Sequence, residues 1–184
     1  MSEHKKYVEV ITSLVRQPPY PNIPPKGATK VLPHLYLGNY EDAVDVPTLI
    51  AYNITHVVNT VEERHSCSTG QPFYEEAGIK YMGFSSDDVA DYPILSRHFQ
   101  CVYEFIEAAR GCGGVCLLHC HAGVNRSGAL CVAYVMLHLG VGPVTAVRLV
   151  LAARGSLLSN DSFIERIVEF AVDKGLLEVD EKPS

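Results

Sequence analysis

A short segment, His119–Gly128 (HCHAGVNRSG), contains a cysteine and an arginine separated by five residues. It follows an apolar stretch typical of a buried strand and precedes one typical of a helix, so we expect a tight loop between them. The backbone N–H groups of such a loop and the helix N-terminus together form a cradle for an anion. Arg126 adds a planar guanidinium that can pair with two phosphate oxygens, and the same positive field favours the thiolate of Cys120. The segment therefore predicts phosphoryl transfer through a covalent cysteinyl-phosphate.

This chemistry needs a proton for the leaving oxygen, because an alkoxide departs poorly from a phosphate monoester. The segment 85–91 (SSDDVAD) follows a predicted strand and supplies carboxylic acids. We choose Asp88 as the general acid and keep Asp87 as the alternative. Ser127 follows the arginine directly, and its hydroxyl is placed to donate a hydrogen bond to the sulfur when the cysteinyl-phosphate is hydrolysed. An ordinary role at the start of the helix stays open for Ser127.

The remaining pattern predicts the elements that position these residues. Four strands are expected, at 35–38, 56–60, 79–84 and 114–120. Six helices are expected, at 4–16, 42–52, 96–109, 126–139, 143–154 and 160–174. A proline-rich connector separates the first helix from the rest, and a polar loop covers 61–71. Strands that precede and alternate with helices predict an α/β fold with a central sheet flanked by helices.

Composition excludes several classes of protein. Apolar residues make up 47% of the 184 residues and charged residues 20%, unlike a disordered chain. A net charge of −6 argues against a protein that binds a nucleic-acid backbone. The longest apolar run is Ala129–Leu137, far shorter than the ~20 residues of a membrane span. Glu9 interrupts the only apolar stretch near the N-terminus, so we expect no signal peptide.

The cysteines permit a second interpretation. Six are present, and without an export signal we expect reduced thiols in an intracellular protein. Several crowd with histidines in the segment 112–121, which invites a zinc site. If 114–120 is a strand, however, Cys116 and Cys120 lie ~13 Å apart. Zinc holds all its sulfurs at ~2.3 Å, so that spacing disfavours the zinc site. For His119 we expect a structural hydrogen bond, and for His121 a position at the rim of the loop.

The segment HCHAGVNRSG also matches the Cys-x5-Arg-Ser/Thr signature of the protein tyrosine phosphatase superfamily. The wider chain, about 31–172, resembles a small (atypical) dual-specificity phosphatase. Four further stretches carry that resemblance: Val31–Asn39 (VLPHLYLGN), Ile54–Asn59 (ITHVVN), Phe73–Asp88 (FYEEAGIKYMGFSSDD) and Leu158–Phe163 (LSNDSF). Two departures, Asn125 in place of the commoner serine and Ser159 in place of the usual proline, remove no catalytic group.

The resemblance implies a protein tyrosine phosphatase-like fold with a central, mostly parallel or mixed sheet. It implies that Cys120 is the nucleophile, Arg126 the phosphate clamp, Asp88 the general acid and then base, and Ser127 a helper in the second step. It also implies that the substrate phosphate is bound by the loop backbone, with no metal or other cofactor. The residues of that loop are His121, Ala122, Gly123, Val124, Asn125 and Arg126.

Length and resemblance together suggest the substrate class. The short core lacks segments that build a deep phosphotyrosine slot, so we expect hydrolysis of phosphoserine and phosphothreonine as well as phosphotyrosine in proteins. Three alternatives stay open: an RNA 5′-triphosphate, a phosphoinositide, and a phospho-binding module without turnover. We expect phosphoprotein partners, no nucleic acid or membrane, and a cytoplasmic or nuclear location. The predicted divisions are an N-terminal helix and connector at 1–27, a catalytic domain at 28–177 and a polar tail at 178–184.

Overall fold

The computed structural model describes residues 3–17, 23–63 and 69–177. Within these residues the chain forms one five-stranded sheet. Its strands are β1 (Thr29–Leu32), β2 (Leu35–Gly38), β3 (Ile54–Asn59), β4 (Lys80–Gly83) and β5 (Val115–His119). The order is β1-β2-β5-β3-β4; β1 runs antiparallel to β2, and the other neighbours are parallel. The predicted mixed sheet is confirmed, and β5 lies at its centre.

Helices cover both faces of the sheet. They are α1 (Glu3–Val15), α2 (Tyr40–Val44), α3 (Val46–Ala51), α4 (Gly70–Tyr74), α5 (Ile94–Gly111), α6 (Arg126–Leu139), α7 (Pro143–Arg154) and α8 (Asp161–Lys174), with a 3₁₀ turn at Glu75–Ala77. Adjacent residues of β5 point to opposite faces, so Leu118 joins the large core beneath α1 and α5–α8. Leu117 joins a smaller core beneath α2–α4. None of the described helices combines the length and hydropathy needed to span a bilayer.

The sequence located the long helices well, because their end signals are local. The helices predicted at 126–139 and 143–154 have those bounds in the structure. Gly140 and Gly175 end α6 and α8 in the left-handed conformation, with φ of 63° and 64°. Asn160 caps α8, since its side-chain oxygen accepts a hydrogen bond from the backbone N–H of Ser162.

One prediction about the shorter elements was wrong, and two short elements were missed. The helix expected at 42–52 is two helices, α2 and α3, because Asp45 ends the first and accepts the Thr48 N–H to start the second. Pro47 follows in the first turn of α3, a position that suits proline but would disrupt a continuous helix. Strand β1 and helix α4 were not predicted, and residues 64–68 of the expected polar loop lie outside the described residues.

The N-terminal helix is packed against the rest of the chain. Tyr7, Ile11 and Val15 of α1 are buried in the large core, and α1 contacts α7 and α8. Farther along, the carbonyl of Gly27 accepts a hydrogen bond from Arg154. The division of the chain at 27 and 177 stays a prediction, and its tail, 178–184, lies outside the described residues. Of the six cysteines, Cys67 also lies outside them, and the other five are free thiols.

Candidate active site

The loop 120–125 joins the end of β5 to the start of α6, at the centre of the sheet edge. Gly123 adopts a φ of +68°, which favours glycine. A Cβ added there would collide with the backbone oxygen of Gly38 and would lie 2.6 Å from a nitrogen of Arg154. The loop is therefore tightly turned, and the backbone of Gly38 and the side chain of Arg154 pack directly against it.

Cys120 lies at the base of this loop and is 1% exposed. Its sulfur accepts a hydrogen bond from the backbone N–H of Gly123 at 3.1 Å and another from the hydroxyl of Ser127 at 3.2 Å. Donors aimed at one sulfur stabilise its negative charge. The two hydrogen bonds therefore place donors where negative charge on the sulfur needs them.

The side chain of Arg126 is buried, lines the same cavity as Cys120 and reaches towards the segment that follows β4. Its Nη1 donates to the carbonyl of Ser86 at 3.4 Å, and its Nε lies 3.9 Å from Asp88 Oδ2. That Nε is buried and has no hydrogen-bond partner among the described residues. A buried donor of this kind is costly unless something accepts from it, and a phosphate oxygen would satisfy it.

The carboxylate of Asp88 is fixed from two sides. Asn125 donates its amide to Oδ2 at 3.0 Å, and Asn160 donates its amide to Oδ1 at 2.8 Å. Asp88 lines the cavity that contains Cys120, whereas Asp87 is not among its lining residues. Of the two adjacent acids, the structure therefore brings Asp88 to the nucleophile.

The cavity over Cys120 has a volume of ≈230 Å³. Its lining residues are Pro24, Asp88, Cys120, Ala122, Val124, Asn125, Arg126, Ser156, Leu157 and Ser159. Among the predicted loop residues, the side chain of His121 is exposed and does not line the cavity, while its backbone oxygen accepts from the N–H of Tyr40. Gly123 contributes through its N–H. The predicted site residues thus lie around the Cys120 sulfur and its cavity, apart from the side chain of His121.

His119 lies directly behind the nucleophile. Its Nδ1 is 3.3 Å from the backbone oxygen of Cys120, and its Nε2 is buried without a partner among the described residues. Burial lowers the pKa of His119 to about 4. The ring is therefore neutral at physiological pH, which fits a structural group better than a proton carrier.

Sequence reasoning missed Arg154, the last residue of α7. It is fully buried, and its guanidinium donates to the carbonyls of Gly123 at 3.1 Å, Ala122 at 3.5 Å and Gly27 at 3.0 Å. Asp42 lies 3.9 Å from it as a counter-charge. Arg154 thereby ties the phosphate-binding loop to the N-terminal connector. No local signal reveals this, because an arginine in the last turn of a helix is ordinarily an exposed partner of the helix dipole.

The roles of the two asparagines were also missed. Asn125 donates to Asp88 and accepts from the hydroxyl of Ser159 at 3.0 Å and the N–H of Asn160 at 3.2 Å. Asn160 begins the helix predicted at 160–174, yet its amide also holds Asp88. The sequence signals the cap, because Asn at a helix start is a local pattern. It does not signal the second bond, which joins residues distant in the chain.

Known proteins resemble this chain over most of its length. Residues 35–173 match the family "Dual specificity phosphatase, catalytic domain". The chain is 38% identical over 144 residues to Dual specificity protein phosphatase 15 of Mus musculus, covering 78% of this chain and 57% of that protein. It is 35% identical over 144 residues to Dual specificity protein phosphatase 22 of Homo sapiens, covering 78% and 73%. The chain therefore spans little more than half the length of the mouse relative.

Solved structures agree with the sequence comparison. The crystal structure of DUSP15 superposes with a TM-score of 0.71 at 34% identity, covering 83% of this chain and 93% of that one. The structure of human tyrosine phosphatase-like serine/threonine/tyrosine-interacting protein superposes with a TM-score of 0.72 at 26% identity, covering 82% and 99%. The fold of this chain thus has counterparts among solved structures.

Proposed function

The chain belongs to the dual-specificity phosphatase family, and we propose that it hydrolyses phosphoserine, phosphothreonine and phosphotyrosine in proteins through a cysteinyl-phosphate at Cys120. The observation that carries this proposal is the environment of the Cys120 sulfur. Two donors point at it within 3.2 Å, and the buried Arg126 Nε lacks a hydrogen bond among the described residues. One site thus favours both a thiolate and an anionic substrate.

In the first step, the thiolate of Cys120 attacks phosphorus, and an S–P bond forms as the bond to the leaving oxygen breaks. Arg126 and the backbone N–H groups of the loop stabilise the charge on the equatorial oxygens. Asp88, in its protonated form, donates its proton to the leaving alkoxide or phenoxide. The dephosphorylated side chain then leaves as an alcohol or phenol.

In the second step, water attacks phosphorus and its proton passes to the Asp88 carboxylate, which acts as general base. The S–P bond breaks and inorganic phosphate departs. The electron pair returns to the Cys120 sulfur, where the Ser127 hydroxyl and the Gly123 N–H donate to the re-formed thiolate. Ser127 therefore acts as a helper that makes the sulfur a better leaving group.

The rim of the cavity supports a broad choice of phosphorylated side chain. It includes short side chains such as Pro24, Ser156 and Ser159, and no aromatic ring is present among the described lining residues. A rim of this kind does not require the length of a phosphotyrosine, so the shorter phosphoserine and phosphothreonine also reach the sulfur. We assign the catalytic unit to 28–177 and its place of action to the reducing cytoplasm or nucleus, where the thiol of Cys120 is protected from oxidation.

A side-by-side assay tests the proposal with four substrates: a phosphotyrosine peptide, a phosphothreonine peptide, a phosphoinositide and a 5′-triphosphorylated RNA. We expect turnover of both peptides and kcat/KM values at least tenfold lower on the other two. Faster hydrolysis of the phosphoinositide or the RNA would assign the same chemistry to a non-protein phosphate. Binding of the peptides without phosphate release by the wild-type chain would indicate a phospho-binding module instead.

A further inference from the structure

The segment that carries Asp88 begins and ends beside three stacked rings. Phe84 directly follows β4, Tyr92 closes the segment, and His98 lies near the start of α5. The His98 ring is stacked on Phe84, with ring centres 4.1 Å apart and planes inclined by 10°. It is also parallel to the Tyr92 ring within 13°, with ring centres 6.0 Å apart. One imidazole therefore contacts the residues on both sides of the segment 85–91.

Hydrogen bonds of the Tyr92 hydroxyl join the same parts. Tyr92 Oη lies 2.9 Å from His98 Nε2, and it donates to the carbonyl of Ser85 over 3.5 Å. Both contacts form together when the imidazole proton is on Nε2, because the ring then donates to the hydroxyl oxygen and the hydroxyl proton remains for Ser85. The guanidinium of Arg97 lies 5.5 Å from the centre of the Tyr92 ring and adds a cation–π contact. One hydroxyl thus connects the first residue of the segment to α5.

Regular secondary structure does little to fix the segment itself. Apart from one isolated β-bridge at Ser85, residues 85–91 belong to no helix or strand. Asp91 has a φ of 62°, a left-handed conformation that is uncommon for a residue with a side chain and persists where its surroundings enforce it. Its carboxylate lies 3.6 Å from Arg166 but is 84% exposed, so this ion pair contributes little. The conformation of the segment therefore depends on its two ends and on the two amides that hold Asp88.

We propose that Tyr92 and His98 are positioning residues for Asp88, because they fix the base of the segment and so keep the carboxyl group within reach of the leaving oxygen. This inference rests on the proposed role of Asp88 as general acid. A general acid must come within about 2.6–3.2 Å of the atom that it protonates. Since a misplacement near 1 Å can lower the rate by roughly 10²-fold, a small shift at the base of the segment weakens proton transfer.

The hydrogen bond between the two side chains can be removed without removing the rings. A stack of rings is weakly directional, whereas a hydrogen bond restricts both distance and angle. Tyr92→Phe keeps the ring and its packing and removes only the hydroxyl. His98→Phe keeps a ring against Phe84 but removes the nitrogen that pairs with the hydroxyl. Tyr103→Phe makes the first of these changes farther along α5 and is the matched control.

The test measures kcat on a phosphothreonine peptide and on an activated aryl phosphate. In Tyr92→Phe, kcat on the peptide should fall by roughly threefold to tenfold, the loss expected for one ordinary hydrogen bond. On the aryl phosphate, whose leaving group needs little help from an acid, kcat should stay within about twofold of the parent value. His98→Phe should lose as much as Tyr92→Phe, and the double variant no more, because both changes remove the same bond. Tyr103→Phe should behave as the parent.

The Asp88→Asn background separates positioning from general support of the fold. If Tyr92 acts through Asp88, Tyr92→Phe should cause no further loss of kcat on the peptide once the acid is gone. A further loss in that background would overturn the proposal, since the rings would then support the whole site. Equal losses on the two substrates, or a parent-like kcat on the peptide in Tyr92→Phe, would overturn it as well.

Failure of this inference is distinguishable from failure of the proposed acid. If Asp88→Asn loses kcat on the peptide and Tyr92→Phe does not, only the positioning role is wrong. If Asp88→Asn loses nothing, the acid assignment is wrong and the positioning role with it. Amide hydrogen exchange over residues 86–91 adds a readout that does not depend on the chemistry, and it should be faster in Tyr92→Phe than in the parent or in Tyr103→Phe. Unchanged exchange in Tyr92→Phe would mean that the segment keeps its conformation without the hydroxyl, which contradicts the proposal.

Discussion

The side-chain amide of Asn160 donates to the carboxylate of Asp88 over 2.8 Å, although 72 positions separate the two residues. The same asparagine caps α8, since its oxygen accepts from the N–H of Ser162 at 3.2 Å. One side chain therefore joins the start of the last helix to the proposed general acid. The position of Asp88 depends on α8 as well as on its own loop.

Asn160→Ser should separate these two functions. Serine is also a good N-cap, so we expect the midpoint of thermal unfolding to stay close to that of the parent. The amide bond to Asp88 is lost, and kcat on a phosphothreonine peptide should fall by roughly tenfold, as expected for a hydrogen bond to a charged group. Steady-state kinetics beside a melting curve make the distinction. A large loss of stability with unchanged kcat would show that Asn160 serves only as the cap.

Asp88→Asn should lower kcat in a way that depends on the leaving group. General acid catalysis contributes about 10²–10⁴-fold, so a loss of that size is expected for phosphothreonine, whose alkoxide leaves poorly. An activated aryl phosphate should lose much less, because its phenolate departs with little help. Comparison of kcat on the two substrates measures this difference.

The adjacent acid provides the matched control. Asp87→Asn should change kcat little, since Asp87 is not among the residues that line the cavity. Equal losses on both substrates in Asp88→Asn would indicate structural damage. A large loss in Asp87→Asn, with none in Asp88→Asn, would transfer the acid role by one residue. Near-normal rates in both variants would point to Asp91 or to no side-chain acid.

Cys120→Ser should abolish turnover while the phosphate site persists. A serine hydroxyl stays protonated at neutral pH and is a weak nucleophile, whereas Arg126 and the loop N–H groups are unchanged. Release of phosphate from an aryl phosphate and binding of a phosphopeptide by calorimetry are the two measurements. Cys101→Ser, at an exposed cysteine on α5, is the control and should keep full activity. Wild-type kcat in Cys120→Ser would exclude the covalent mechanism.

Arg154→Met should impair both activity and stability, although Arg154 does not line the cavity. Its removal leaves the carbonyls of Ala122, Gly123 and Gly27 without their donor, and each such loss costs about 1–3 kcal/mol where the group stays buried. The loop is then held less tightly, and a displacement near 1 Å is enough to lower kcat/KM by roughly 10²-fold.

The same helix supplies a control for this prediction. Arg148→Met removes an exposed arginine of α7 and should leave kcat/KM and the free energy of unfolding close to the parent values. Denaturant unfolding and kinetics on an aryl phosphate test both variants together. Unchanged kcat/KM in Arg154→Met would mean that the loop keeps its geometry without this side chain.

His119 should make stability depend on pH in acid. Its pKa is about 4 in the folded chain, below its usual value of 6.5, because burial disfavours the charged ring. Between pH 4 and pH 6.5 His119 therefore binds a proton in the unfolded chain but not in the folded chain. The contribution is therefore complete above pH 6.5 and is lost as pH falls towards 4.

Urea unfolding at several pH values measures this dependence. Replacement by a residue that does not titrate, His119→Gln, should flatten the decline of unfolding free energy between pH 6.5 and 4 by up to about 1.4 kcal/mol per pH unit. His4→Gln, on the outer part of α1, should keep the slope of the parent. An equal slope in His119→Gln and the parent would show that other groups account for the acid sensitivity.

Features that depend on neighbours along the chain can be predicted from the order of the amino acids. Cys120, Arg126 and Ser127 lie within eight residues, so one strand end and one helix start must bring them together. The ends of α6, α7 and α8 follow from Pro143, the asparagine cap at 160 and the glycines after the helices, because these signals act over one helical turn. The α/β class with a central sheet follows from the order of the strand-like and helix-like stretches.

Contacts between distant segments of the chain, in contrast, became known from the fold. Whether Asp87 or Asp88 faces the sulfur depends on a loop conformation set by Asn125 and Asn160, which no local pattern encodes. In the sequence, Arg154 resembles an ordinary cation at a helix end. In the folded chain it is buried and donates to backbone carbonyls of two other segments. Such bonds form between groups that the chain brings together only on folding, because their geometry depends on how whole elements pack. Residue spacing therefore identifies the reacting atoms, and packing decides how they are held.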